Sequence, residues 1–537
     1  MRGARAALNA FSAVVVMQIR SLVRDCPRSL AGTFAVSVLL LQLSCGGSNS
    51  NPSESTTPPV IPPSTVALTK LSSDPYTNAS SQHASEVEPG TFAFGSTLVS
   101  AFQVARIHDC GGADIGFATS TDGGTTWSSG FLPGITVFQG NGTFTAVSDA
   151  AVAYDAAHQV WLICSLALSS SLNQVIVSRS ADGINWGNPI GVSTSGDPDK
   201  NWIVCDNTPT SPFYGHCYAE WDDPSLDDLI HMQTSTDGGQ TWGPILNTAN
   251  QATGLGGEPL VQPNGTVVVP IAGLTGNELS PMLAFTSTDG GASWGNATSI
   301  SPITDHGEAG NLRSAPLPAT AIDAAGTVYV VWADCRFRTN CSSNDLVLST
   351  SSDGANWTTP ARIPIDATTS TVDHFIPGLG IDPATSGSTA HLALTYYYYP
   401  VSNCGAVCSM AVASVSSQDG GQTWSAPVQL SDGMSTSWLP NTFSGLMVAD
   451  YLSVSYVNTK PFGVFAIAQA PSGGVLNEAM YTTTQPLTAL ASAVRFSSKG
   501  EKPVPHAKSD HGPRKFYDED GEYPIPPKKK SLKRARR

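Results

Sequence analysis

Residues Ser120–Trp127 read STDGGTTW. Near-copies stand at Ser235–Trp242 (STDGGQTW), Ser287–Trp294 (STDGGASW) and Ser417–Trp424 (SQDGGQTW). Two shorter ones, SADGINW at Ser180–Trp186 and SSDGANW at Ser351–Trp357, lack one glycine. The six tryptophans lie 59, 56, 52, 63 and 67 residues apart. A period of that size marks a repeated supersecondary unit. Each copy is built to turn: Asp accepts hydrogen bonds from backbone N–H groups of its own turn, and Gly takes positive φ without strain. The hydroxyls close further bonds, and the Trp offers an apolar face to a neighbouring sheet. Such regularity fits a fastener on every unit rather than six active sites.

One unit reads in detail. Pro316–Asp323 predicts an inner strand, Thr327–Ala333 a second, Asp345–Thr350 a third running into the turn, and Ala361–Ile365 a fourth. Four antiparallel strands per period make a propeller blade. The S-x-D-G-G-x-T-W pattern resembles the Asp box of the sialidase-like (BNR-repeat) propellers, and the likeness covers roughly residues 85–490. It implies an all-β propeller of four-stranded antiparallel blades. It also implies a box between the third and fourth strands, on the rim away from the substrate face. After the last box come Leu446–Val457, Phe462–Ala470 and Glu478–Thr484. With Ser64–Ser72 as a fourth strand they predict a seventh blade without a box. Six blades, with the ends as extra strands, is the alternative.

Charge is unevenly spread. Residues 29–494 hold nine of the 27 cations and 35 of the 42 acids. So acidic a body excludes nucleic acid as a partner of the propeller. Arg20, Arg24 and Arg28 precede the apolar run Leu30–Leu43, which is too short for a comfortable membrane span. The run ends LQLSCGGS, resembling a bacterial lipoprotein cleavage site, although Gln42 stands where an aliphatic residue is usual. Residues 1–45 are therefore expected to be a signal peptide with lipidation at Cys45, and the chain an envelope lipoprotein; simple secretion is the alternative. Residues 46–64 read as a flexible Ser/Pro/Thr linker, residues 65–492 as the propeller, and 493–537 as a disordered basic tail. Such a tail is able to touch an anionic surface. Cys26 and Cys45 aside, eight cysteines remain, as exported disulfides require. Spacing suggests Cys205–Cys217, Cys335–Cys341 and Cys404–Cys408, and elimination leaves Cys110–Cys164. No CxxC or HxxxH pair points to a metal. No cofactor is expected, and a monomer is.

In sialidases three arginines hold the substrate carboxylate, a tyrosine assisted by a glutamate attacks the anomeric carbon, and an aspartate serves as acid and base. The resemblance implies Tyr451 as nucleophile, Glu258 as its partner and Asp109 as acid/base. Arg106, Arg313 and Arg336 are the candidate clamp, since guanidinium forks bind carboxylates bidentately. The early R-I-P of the family is missing. The R-I-P at Arg362–Pro364 follows the fifth box, on a predicted outer strand, and reads as coincidence. DPDKNWIVCDN (Asp197–Asn207) resembles a D-K-x-W stretch of loosely sialidase-like bacterial propellers, which implies a sugar or cation site at the channel mouth carried by Asp199 and Trp202. Asp373 and His374 are expected on the same face. Two functions follow: hydrolysis of sialic acid-like sugars, or non-catalytic binding of a glycan or a surface protein.

Overall fold

Short runs of Val, Ile, Ala and aromatic residues, broken every few residues by Gly, Asp and Pro, fold into strands with almost no helix between them. The structure is a computed structural model and describes residues 61–504, apart from 110, 194, 195 and 277. The signal segment with Cys45, most of the linker, Cys110 and residues 505–537 lie outside the described residues.

Strand β1 (Leu68–Lys70) opens the chain. Then come β2 (Glu86–Phe94), β3 (Thr97–Arg106), β4 (Gly112–Ser120) and β5 (Ser128–Phe131), followed by β6 (Ala146–Asp155), β7 (Val160–Leu168), β8 (Gln174–Ser180) and β9 (Ile190–Gly191). A single pair, Gly112 with Val147, joins these two four-stranded units. The next sheet is β10 (Asp199–Cys205), β11 (Cys217–Asp223), β12 (Leu229–Ser235) and β13 (Leu246–Asn247). In the following one the inner strand is split into β14 (Gly254–Leu255) and β15 (Leu260–Val261), both paired with β16 (Val267–Thr275), beyond which lie β17 (Glu278–Ser287) and β18 (Thr298–Ser301). The unit read in detail from sequence becomes β19 (Ala319–Ile322), β20 (Val328–Asp334), β21 (Asp345–Ser351) and β22 (Ala361–Arg362). Then follow β23 (Asp373–Ile381), β24 (Leu392–Tyr399), β25 (Ser409–Ser417), β26 (Trp424–Ser425), β27 (Val428–Gln429) and β28 (Met434–Ser435), with β27 and β28 both on β25. A small hairpin, β29 (Asn441–Thr442) and β30 (Gly445–Leu446), leads to β31 (Ser453–Val457), β32 (Lys460–Ala468) and β33 (Glu478–Thr483). Antiparallel pairing of Leu68, Thr69 and Lys70 with Thr483, Thr482 and Tyr481 makes β1 the outer strand of that sheet.

Neighbouring sheets pack through their inner strands: β2 on β6, β6 on β10, β10 on β15, β15 on β19, β19 on β23, β23 on β31, and β31 back on β2. The core lies between them and buries Trp221, Trp332 and Trp424 completely.

Every box joins a third strand to a fourth. In the first, Asp122 Oδ1 accepts from Thr126 N (2.8 Å) and Ser120 Oγ (2.8 Å), Asp122 Oδ2 accepts from Thr126 Oγ1 (2.7 Å), and Gly124 N donates to Ser120 Oγ (2.9 Å). Those donors hold its carboxyl at about 2, below the ordinary range. The box glycines lie against the preceding sheet: Gly183 against Val99, Gly239 against Leu162, Gly291 against Tyr218, Gly354 against Val268. Gly124 of the first box lies against Phe462 of β32, so the same contact joins the first sheet to the last.

Disulfides Cys205–Cys217, Cys335–Cys341 and Cys404–Cys408 are present. The fourth is not: Cys164 is a free, buried thiol on β7. Of the tail expected to be disordered, 493–537, the structure describes residues 493–504, and these are packed on the rest of the chain. Strand β34 (Arg495–Phe496) pairs with β26, Glu501 reaches Arg362 (3.6 Å), and Val504 N donates to Arg336 O (2.9 Å). Residues 493–504 thus form a strap along the outer side of the molecule.

Candidate functional site

The boxes occupy one rim, so the connections between second and third strands, and those leading into each inner strand, lie at the opposite face. Four inner strands carry a bulge near that face, with register shifts at Val87/Gly90 in β2, Ser148/Ala151 in β6, Asp199/Trp202 in β10 and Phe375/Gly378 in β23. Each bulge holds a non-glycine residue at positive φ: Glu88 (57°), Asp149 (49°), Lys200 (50°) and Ile376 (48°). Such conformations persist only where surrounding contacts impose them, and they cluster at functional sites.

Three of these residues meet. Lys200 Nζ lies 2.6 Å from Asp450 Oδ2 and 3.9 Å from both Glu88 Oε1 and Asp149 Oδ1. Arg313 grips the same Asp450 with a fork, Nε to Oδ1 at 3.0 Å and Nη2 to Oδ2 at 2.5 Å. Gln103 donates to Glu88 Oε2 and accepts from Arg106 Nη1 (3.0 Å). Burial works against the Lys200 charge, but Asp149, Asp450 and Asp199 outweigh it and hold the ammonium protonated. On the same strand half-buried Trp202 meets the ring of Tyr451 edge-on, with centroids 5.2 Å apart. Residues from β2, β3, β6, β10, the loop before β19 and the loop before β31 thus converge.

Of the expected site residues, Arg106, Arg313, Asp199, Trp202 and Tyr451 are brought into this network. Asp199 Oδ1 accepts from Lys200 N (2.9 Å). Three are not joined to it by any described contact. Arg336 follows Asp334 by two residues and is captured by it (Nε–Oδ1 2.8 Å, Nη2–Oδ2 2.6 Å); it also donates to Ser301 Oγ and Pro302 O. Asp109 is half-buried and paired with the exposed His108. The Glu258 carboxylate accepts the backbone N–H of Thr320 at the start of β19 (2.7 Å) rather than a tyrosine hydroxyl. Arg362 sits on the outer strand β22, where it and Arg338 share Asp345 and Asp366 at 2.6–2.8 Å. Asp345 and Asp366, near His374, could frame a metal, but the two guanidinium groups already supply their counter-charge.

A second acidic group adjoins the network. Glu220 and Asp222, two residues apart on β11, are completely buried, and their carboxyl oxygens have no hydrogen-bond partner. Burial pushes both acids well up, helped by Glu258 for Glu220 and by Asp199 and Asp228 for Asp222. Burial likewise raises Glu258 to about 8 and Asp228 to about 7. Glu220, Asp222 and Glu258 are thereby favoured in the protonated form at neutral pH and Asp228 is about half protonated, which lowers the cost of burying charge.

The face therefore offers two aromatic rings, one of them half-exposed, beside a dense set of charged donors and acceptors. Rings take the C–H faces of a polyhydroxylated ligand and charged groups take its hydroxyls. A sialidase clamp is a different object, three guanidinium groups open to one carboxylate. Here Arg313 is already bridged by Asp450, and Arg336 by Asp334.

Sequence reasoning missed Glu88, Asp149 and Asp450. A signal was present. Pro89, Pro259 and Pro377 interrupt otherwise strand-like runs directly after Glu88, Glu258 and Ile376, and proline within an interior strand marks a bulge.

Sheets of this order, with a box between third and fourth strands, are those of a sialidase-like propeller. The chain is similar to a Hadza microbial sialidase (15% identity, 76% of this chain and 67% of that one, TM-score 0.39). It is also similar to an ulvan lyase of a polysaccharide lyase family (11% identity, 81% and 100%, TM-score 0.45) and to the Trypanosoma rangeli sialidase in complex with 2,3-difluorosialic acid (11%, 79% and 58%, TM-score 0.41). No family model and no curated protein matches the chain.

Proposed function

We propose that this chain is an exported, seven-bladed, sialidase-like propeller that binds glycans at the channel mouth and does not carry out sialidase chemistry. The carrying observation is the state of the cations. Lys200 and Arg313, which would face a sugar carboxylate, both hold Asp450, and among the described contacts Glu88, Asp149, Asp199 and Asp450 stand against Lys200, Arg313 and Arg106. An added anion would meet these carboxylates, so the ligand is a neutral sugar resting on Trp202, whose ring is backed by the buried Tyr451. Seven blades are supported by the chain of inner-strand contacts that returns from β31 to β2, and by β1 completing the last sheet. Export is supported by the three disulfides, which persist in oxidising compartments. Lipidation at Cys45 and a monomeric state belong to this reading as proposals.

Incubation of the full chain with a fluorogenic sialoside between pH 4 and 8 is expected to give no turnover. Turnover that Tyr451→Phe abolishes would restore the hydrolase, with Tyr451, Glu258 and Asp109 as its chemistry.

A further inference from the structure

The 302–318 loop links β18 to β19 and has no regular secondary structure beyond one isolated bridge at Leu312. Irregular loops of that length are uncommon in compact domains and are usually functional. This one lies at the candidate ligand face and carries Arg313. It is fastened in three places. At its start Thr304 Oγ1 donates to Asp334 Oδ1 (2.7 Å) and Thr304 O accepts from Cys335 N (2.8 Å). At its end Arg313 N donates to Leu446 O (2.8 Å), and the guanidinium holds Asp450.

The middle fastening is different in kind. His306 Nδ1 lies 3.1 Å from Oδ2 of Asp373, a completely buried residue at the start of β23. His306 N donates to Asn344 Oδ1 (2.8 Å), and Asn344 N donates to Asp373 Oδ1 (2.6 Å). The Asn344 amide N–H groups are shared among His306 O (2.7 Å), Glu308 Oε1 (2.9 Å) and Asp305 Oδ1 (3.1 Å). From β24 the Tyr399 hydroxyl donates to Ala309 O (3.1 Å), and the His374 ring is bonded to Asn344 O (3.0 Å). Three carboxylates, Asp373, Asp305 and Glu308, thus surround one imidazole, with the His374 ring on the far side of Asn344.

We propose that His306 and Asp373 form a pH-operated clamp on this loop: the protonated imidazole holds the loop against β23, and the neutral one releases its middle and loosens Arg313 with it. Burial opposes the charge, but the hydrogen bond and charge of Asp373, with Glu308 and Asp305 behind it, outweigh burial and raise the histidine above its ordinary value. A group raised on folding contributes its full anchoring below the unfolded value, near ~6.5, and loses it as pH rises through the folded value. The clamp is therefore closed in mildly acidic surroundings and opens in alkaline ones, whether or not the face takes a sugar.

Hydrogen exchange on the full chain, at pH 5.5 and 8.5 and corrected for the intrinsic rate, tests this. Amides of residues 303–313 should lose several-fold more protection over that range than those of β3 and β16. In His306→Gln the extra loss should disappear, with protection at both pH values near the alkaline level of the parent. Asp373→Asn, which keeps an acceptor for Asn344 N, should likewise show no extra step. A parent loop that tracks β3 and β16, or a step that survives in His306→Gln, would overturn the clamp.

Discussion

At Gly124 the backbone has φ 86°, and a Cβ would lie 2.5 Å from Cζ of Phe462. Both facts exclude a side chain, so Gly124→Ala should lower stability by about 1–3 kcal/mol, read as a fall in the urea midpoint without change in slope. An unchanged midpoint would mean that the box does not seat against β32. Lys200 is the opposite case, a residue strained so that a charge can be placed. Lys200→Met would leave Asp450 to Arg313 and take the Lys200 ammonium away from Asp149 and Glu88, at a cost of ~3–5 kcal/mol. The double variant with Asp450→Asn should recover part of that loss; strict additivity would show that the two do not act as a pair. The box residues were legible from sequence because an Asp-Gly-Gly turn satisfies itself within eight residues. Lys200 and Asp450 were legible only as neighbours of Trp202 and Tyr451, since the pair spans 250 positions and no local pattern announces it.

The strand β1 shows the same contrast at the scale of elements. Its apolar alternation and the three unpartnered strands after the sixth box suffice to predict that chain start and chain end share a sheet. The strand itself is only Leu68–Lys70. A chain beginning at Leu71 would leave β33 with an unpaired edge and the ring without its fastening. It should melt at least several degrees lower and lose its single cooperative transition, as repeat arrays do when neighbour contacts are removed. A melt matching that of the full chain would argue against closure through β1. The strap from Arg495 to Val504 could not be foreseen, because composition sets a basic tail apart but says nothing of where its first residues pair. The bulges that build the site were hidden for a related reason: periodicity reports where strands run, not where one residue too many turns a side chain inward.

For the whole molecule the buried acids set the response to pH. Burial holds Glu86 and Asp228 at about 7 and Asp114 and Glu258 at about 8, against an ordinary ~4 in the unfolded chain. Between those limits the folded state binds more protons than the unfolded one, so stability falls as pH rises from ~4.5 to ~8. The exposed box carboxylates, lowered like Asp122, act in the other direction but only below about pH 4. Melting temperature should therefore peak in the mildly acidic range and decline toward pH 8; a steady rise over that interval would mean that these acids are ionised in the fold. Ligand binding falls to the face opposite the boxes, and a glycan microarray probed with the full chain and with Trp202→Ala measures it. Selective binding of neutral glycans by the parent, weakened about tenfold or more when the half-exposed ring is removed, is the predicted result. Equal binding by both proteins, or none by the parent, would contradict it.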